Sequence, residues 1–195
     1  TIITMLRGLL GEEITINAAN KDLHSGMFGG AAINPIRVLS DIIAGLHDDN
    51  GQITLPGFYD DVPELSPEVR AQWDALNFDA SQFLGDVDLA VPAGEQDRTP
   101  LEMVWSRPTC EVNGIWGGYT GDGFKTVLPA SASAKISFRL VGQQDPHKIR
   151  KAFRAYVDSK LPADCTADFA PHGASPASVM STDNPAFEKA GLALS

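Results

Sequence analysis

Polar and apolar residues alternate along residues 1–19, and the stretch reads as extended from Thr1-Ile2-Ile3-Thr4 onward. Glu12, Glu13, Thr15 and Asn17 interleave with Ile14, Ile16 and Ala18, which predicts a strand with one wet face and one buried face. From Asn34 the period changes. Asn34 and Pro35 are a candidate N-cap and first helical residue, and Ile36, Leu39, Ile43 and Leu46 follow at helical spacing, with Ile42 beside them. His47-Asp48-Asp49-Asn50-Gly51 ends that helix with an Asn-Gly turn signal. Residues 52–108 lose the period and hold many of the prolines and acids. They predict an excursion of short helices opened by Ser66-Pro67, Asp79 and Thr99-Pro100.

Regular pattern returns at Thr109–Trp116, a strand candidate. The cleanest alternation runs through Ala130–Val141, where Ala132, Ala134, Ile136, Phe138 and Leu140 alternate with Ser131, Ser133, Lys135, Ser137 and Arg139. Asp145-Pro146 opens a second long helix. Its apolar face is Ile149, Ala152, Phe153, Tyr156, Val157 and Leu161, with Lys148, Arg150, Lys151 and Arg154 expected in solvent and Pro162 as the stop. Asp164–Ala170 reads as a last strand, and Pro171–Pro176 as an exposed loop carrying His172. Asn184-Pro185 opens a further helix that stops early, so the chain reads as part of a longer protein. The order strand, helix, excursion, strand, strand, helix, strand predicts an α+β fold. It is the ferredoxin-like split βαβ sandwich: a four-stranded antiparallel sheet with two helices on one face. That arrangement centres the first and third strands and puts Cys110 and Cys165 on opposite edges, which disfavours a disulfide between them.

Composition narrows the function. The chain is 43% hydrophobic and 21% charged, with a net charge of −10. Without basic clusters, this charge argues against nucleic acid as a partner. No apolar run approaches the roughly 20 residues of a membrane span. Two cysteines in no metal-type spacing fit a reduced, cytoplasmic setting, the alternative being a pair of cysteines in a secreted protein.

The candidate chemistry gathers at Asp22–Gly30, a loop between the first strand and the first helix. Gly26, Gly29 and Gly30 permit tight turns there, and His24 is its imidazole. The loop also reads as a turn whose histidine only caps the next helix. Gly117–Gly123 lacks the Gly-Lys-Ser/Thr ending and following helix of a phosphate loop. Asp60, Asp61 and Glu64 have no histidine at ligand spacing and read as a solvated acidic loop, so no metal site is expected in this chain.

In their order and register, Asp22–Gly30, Lys125-Thr126-Val127-Leu128-Pro129, Ile136–Val141 and His172-Gly173 resemble the M20 family of zinc metallopeptidases, the carnosinase-like dipeptidases in particular. The likeness is to the family's lid, or dimerisation domain, and covers nearly the whole chain. Leu6-Arg7-Gly8 fits the lead-in to that lid. Residues 1–195 would then be a single lid domain with its excursion at about 52–108, the flanking catalytic halves being absent. The resemblance implies a homodimer acting on peptides, with two zinc ions in the missing catalytic domain. It implies that His24 reaches the partner subunit's active site to bind the developing oxyanion, joined there by Thr126. Arg139 would bind the substrate's C-terminal carboxylate, and His172 would line the substrate site. Such a domain would be inert alone. The sequence departs from the family pattern at Gly142, where many relatives have proline, and at Ala174-Ser175-Pro176-Ala177.

The competing reading is a non-enzymatic ferredoxin-like module that binds a ligand or a partner. A self-sufficient hydrolase fails for want of a nucleophile–base pair or a metal set. A His-x-Asp before Thr1 and a Glu-Glu pair in the parent sequence would separate the first two readings.

Overall fold

A computed structural model describes residues 2–181, 183 and 185–194. Its first half comprises β1 (Met5–Leu6), β2 (Gly8–Asn17), β3 (Leu23–His24), α1 (Ser25–Phe28), α2 (Pro35–Ala44), α3 (Pro67–Asp74), α4 (Ala80–Gly85) and α5 (Pro100–Trp105). Then follow β4 (Thr109–Gly117), β5 (Val127–Leu128), β6 (Ser131–Leu140), α6 (Pro146–Lys160), β7 (Thr166–Ser175), β8 (Ser178–Val179) and α7 (Pro185–Leu194). Among the described residues, Ile2–Thr4 carry no strand, and the first ladder pairs Met5 with Val179. The predicted cap Asn184 lies outside the described residues.

The main sheet has the order β4-β6-β2-β7, all antiparallel, with β6 and β2 in the centre as the split βαβ pattern predicts. Alternation fixes its buried face. Leu10, Ile14, Ile16, Ala132, Ala134, Ile136, Phe138 and Leu140 point inward beneath α2 and α6. Cys110 on β4 and Cys165 just before β7 are both buried free thiols.

Capping sets the helix starts. The side chains of Asn34, Ser66, Asp79, Thr99 and Asp145 accept the backbone N–H groups that open α2 to α6, four of them followed by proline. In α2 the core face is Val38, Leu39 and Ile42; Ile36 and Ile43 lie at its margins. The excursion is anchored at both ends. Ile53, Leu55 and Phe58 belong to the main core, and the Phe138 ring lies between Phe58 at 6.0 Å and Phe153 at 5.5 Å. Further out, Arg107 binds Glu95 with contacts of 2.6 and 3.2 Å, and Arg98 grips Glu64 at 2.6 and 2.7 Å. Glu64 is therefore an ion-pair partner rather than a purely solvated acid. Its carboxyl is held below the usual range mainly by the Arg98 hydrogen bonds.

Two strand expectations change. Glu12 belongs to the even-numbered, buried series of β2, and its side chain has no exposure. Arg150 and Arg154, expected in solvent, fold back from α6 to pair with it. A carboxylate buried on the core face needs such partners. The last strand also continues to Ser175, so Pro171-His172-Gly173 is strand rather than loop. Pro171 fits there because β7 is an edge strand, where a missing N–H leaves no ladder bond unmade. Gly142 has φ +59, a left-handed conformation that proline cannot adopt, so the turn after β6 calls for glycine. Among the described residues no helix is long and apolar enough to cross a membrane.

Candidate functional site

Beyond the Asn17–Ser131 end of the sheet, the two central strands continue as a small ribbon. Ala18 N–H donates to the Ala130 carbonyl at 2.9 Å, and the Asp22 carboxylate accepts from Ala130 N–H at 2.9 Å. Leu23 then pairs with Leu128 and His24 with Val127. This ribbon brings His24 and Thr126 together, with Nε2 3.3 Å from Oγ1.

The His24 imidazole also caps α1, since its Nδ1 accepts the Gly26 N–H at 3.0 Å. Capping and chemistry are thus compatible, and the cap assigns the tautomer. With its Nδ1 lone pair engaged, the neutral ring carries its proton on Nε2. In that tautomer Nε2–H points to Thr126 Oγ1 and the hydroxyl keeps its own proton, so an anion reaching this exposed end of the ribbon meets two polar hydrogens. That is the equipment for receiving an oxyanion.

Arg139 lies at the other end of the sheet, on the open face. At about 3.4 Å per residue in an antiparallel strand, the run of β6 from Ser131 to Arg139 is about 27 Å. Arg139 sits opposite Leu9 and Thr109, and lines a cleft of about 780 Å³ with Arg7 and Glu111. Among the described residues its guanidinium makes no hydrogen bond or ion pair. Arg7, half-buried beside it, has its pKa lowered first by burial and then by the Arg139 charge. Two adjacent guanidiniums favour an anion between them.

His172 shares the open face. Its Nε2 is 3.7 Å from the Glu13 carboxylate, and it stands two strands from β6, about 10 Å across the sheet. The structure therefore groups the four expected residues as two pairs. His24 and Thr126 meet at one end, Arg139 and His172 share the other, and the two pairs do not meet within one chain. In the sequence Arg7 stands out only within Leu6-Arg7-Gly8, and the structure adds it beside Arg139. Odd-number spacing from Leu9, the cross-strand partner of Arg139, was the available signal. Among the described residues no group of three or more His, Cys, Asp or Glu is placed to hold a metal ion.

Comparison with known proteins decides the family. The profile of the M20 peptidase dimerisation domain matches residues 4–165. The chain belongs to this family. The dimerisation domain is similar to the Cys-Gly metallodipeptidase dug1 of Schizosaccharomyces pombe, 32% identical over 152 residues, covering 78% of this chain and 32% of that protein. It is also similar to the human Beta-Ala-His dipeptidase, 27% identical over 145 residues, covering 74% of this chain and 29% of that protein. Among solved structures, an M20 family metallo-carboxypeptidase from Sulfolobus solfataricus superposes with a TM-score of 0.82 at 30% identity, covering 95% of this chain and 42% of that one. Human carnosine dipeptidase 1 shares the fold, with a TM-score of 0.83 at 24% identity, covering 100% of this chain and 42% of that one. The dimerisation domain thus spans about a third of the length of the curated relatives it matches.

Proposed function

We propose that this domain is the dimerisation and substrate-lid domain of a zinc-dependent M20 dipeptidase, serving two active sites at once. Arg139 binds the C-terminal carboxylate of a dipeptide bound against its own subunit, with His172 lining the same site. His24, supported by Thr126, donates Nε2–H to the oxyanion forming in the partner's site. One observation carries this reading: the separation of about 27 Å between the His24 end and Arg139. A dipeptide spans only two or three residue lengths, roughly 7–10 Å. Two residues so far apart touch one substrate only if they come from two copies.

Self-association fits the same picture. β4 is an edge of the main sheet and exposes Val112, Ile115 and Trp116, so pairing two β4 edges beside α2 satisfies the edge and covers its apolar residues. In this proposal the metal chemistry belongs to the catalytic part of a longer parent protein, as the metallodipeptidase relatives suggest. This chain supplies hydrogen bonds and charge. Steady-state kinetics of the full-length protein test the assignment. Arg139→Ala should raise KM by about tenfold or more, as expected for loss of a charged hydrogen-bond pair. His24→Ala should lower kcat by on the order of 10²–10³-fold, the scale of one oxyanion donor. Unchanged KM in the first and unchanged kcat in the second would refute it.

A further inference from the structure

The β2–β7 ladder is irregular at one place. Leu10 faces Ala174 and Glu12 faces Pro171, so His172 and Gly173 together oppose Gly11. This is a bulge, with an extra residue in β7 and an interrupted ladder. Gly11 makes room for it: a Cβ there would come within 3.0 Å of the His172 Cβ.

The carbonyls freed by the interruption are taken up from the helical side. Arg150 Nη2 donates to the His172 carbonyl at 2.6 Å and to the Gly11 carbonyl at 3.3 Å, one on each strand of the bulge. Its Nε donates to Glu12 Oε2 at 2.7 Å. Glu12 is fully buried and the Arg150 side chain is only 16% exposed, so the guanidinium is held in place rather than swinging in solvent. Arg154 provides an internal control. It binds the other Glu12 oxygen, with Nε at 2.7 Å, and stacks on Phe169, but makes no hydrogen bond to the bulge.

We propose that Arg150, anchored by Glu12, is a positioning residue that fixes the β7 bulge from behind and so sets where His172 projects on the substrate face. The proposal rests on the reading of His172 as a substrate-site residue. Two measurements on the full-length protein separate the two claims. The first is NMR with ¹³C-labelled histidine, His172→Ala identifying the His172 cross-peak. Arg150→Met should shift or broaden that peak, while Arg154→Met leaves it in place. An unmoved peak in Arg150→Met overturns the proposal. If Arg150→Met does not fold, Arg150→Lys decides, because an ammonium cannot hold all three acceptors in a guanidinium's geometry.

The second is a double-mutant cycle in dipeptide hydrolysis. Arg150→Met should raise KM about tenfold or more, in line with misplacement of a positioning group by a fraction of an ångström or more. It should add nothing in a His172→Ala background. Independent, multiplying effects on KM overturn the proposal. A His172→Ala protein with unchanged KM refutes the substrate role of His172 instead, while the NMR result still decides whether Arg150 holds the bulge.

Discussion

Replacing Glu12 with leucine tests the buried charge cluster. The substitution removes a carboxylate with no solvent exposure and leaves two guanidiniums, 16% and 36% exposed, facing an alkyl group. Removing one partner of a buried ion pair costs about 3–5 kcal/mol. Both arginines reach some water, so the lower end applies, about 3 kcal/mol. With a urea m-value of about 2 kcal/mol/M, the unfolding midpoint should fall by about 1.5 M. The thermal midpoint should drop by roughly 6–12 °C. Urea titrations followed by circular dichroism read this directly. The triple variant Glu12→Leu, Arg150→Met, Arg154→Leu should recover most of the loss, because desolvation of the three charges offsets much of their attraction. A midpoint shift in Glu12→Leu below about 0.25 M, or a triple variant no better than the single one, would refute the reasoning.

Burial, with a smaller contribution from Glu111, pushes the Cys110 thiol up to about 12. Its folded pKa is raised, so the associated stability is present below the unfolded value near 8.5–9 and lost as pH rises toward 12. Iodoacetamide at pH 8 should leave Cys110 unmodified in the native chain, and Cys110→Ala should flatten the alkaline limb of the stability curve. Gly142→Pro should destabilise this chain by roughly 3 kcal/mol, since φ +59 excludes proline and the added ring meets Pro63; an unchanged unfolding midpoint would count against the assigned turn. Trp116→Glu with Ile115→Lys on the open β4 edge should convert a dimer to monomer in sedimentation velocity, and persistence of the dimer would move the interface elsewhere.

Local signals were legible in the sequence because their causes are local. The caps at Asn34, Ser66, Asp79, Thr99 and Asp145, and the alternation of Ala132 to Leu140, depend on residues a few positions apart, and each appears where expected. The sheet order followed from the element order. Long-range pairing was less legible. The charge of Glu12 predicts solvent, yet its even number puts it in the buried series of Leu10 and Ile14. Its partners Arg150 and Arg154 come from a helix far along the chain, and no local pattern announces them. Pro171 and Gly173 are turn residues and predict a loop around His172. On an edge strand with a bulge the same residues are compatible with pairing. The pairing of His24 with Thr126 came from a resemblance in motif, since nothing in the spacing of residues 24 and 126 brings them to 3.3 Å.

The division of His24 and Arg139 between two active sites is the central claim, and subunit complementation tests it most directly. A His24→Ala form of the full-length protein is mixed with a form whose zinc ligands have been removed, each inactive alone, under conditions in which labelled subunits are seen to exchange. In the heterodimer, one site combines intact metal ligands with a good His24 from the other subunit. The account predicts that activity returns, approaching a quarter of the wild-type level in a statistical mixture, because half the dimers are mixed and each mixed dimer has one complete site. Arg139→Ala, which acts within its own subunit, should complement the metal-ligand variant far less. Exchange without recovery of activity in the His24→Ala mixture would contradict the account.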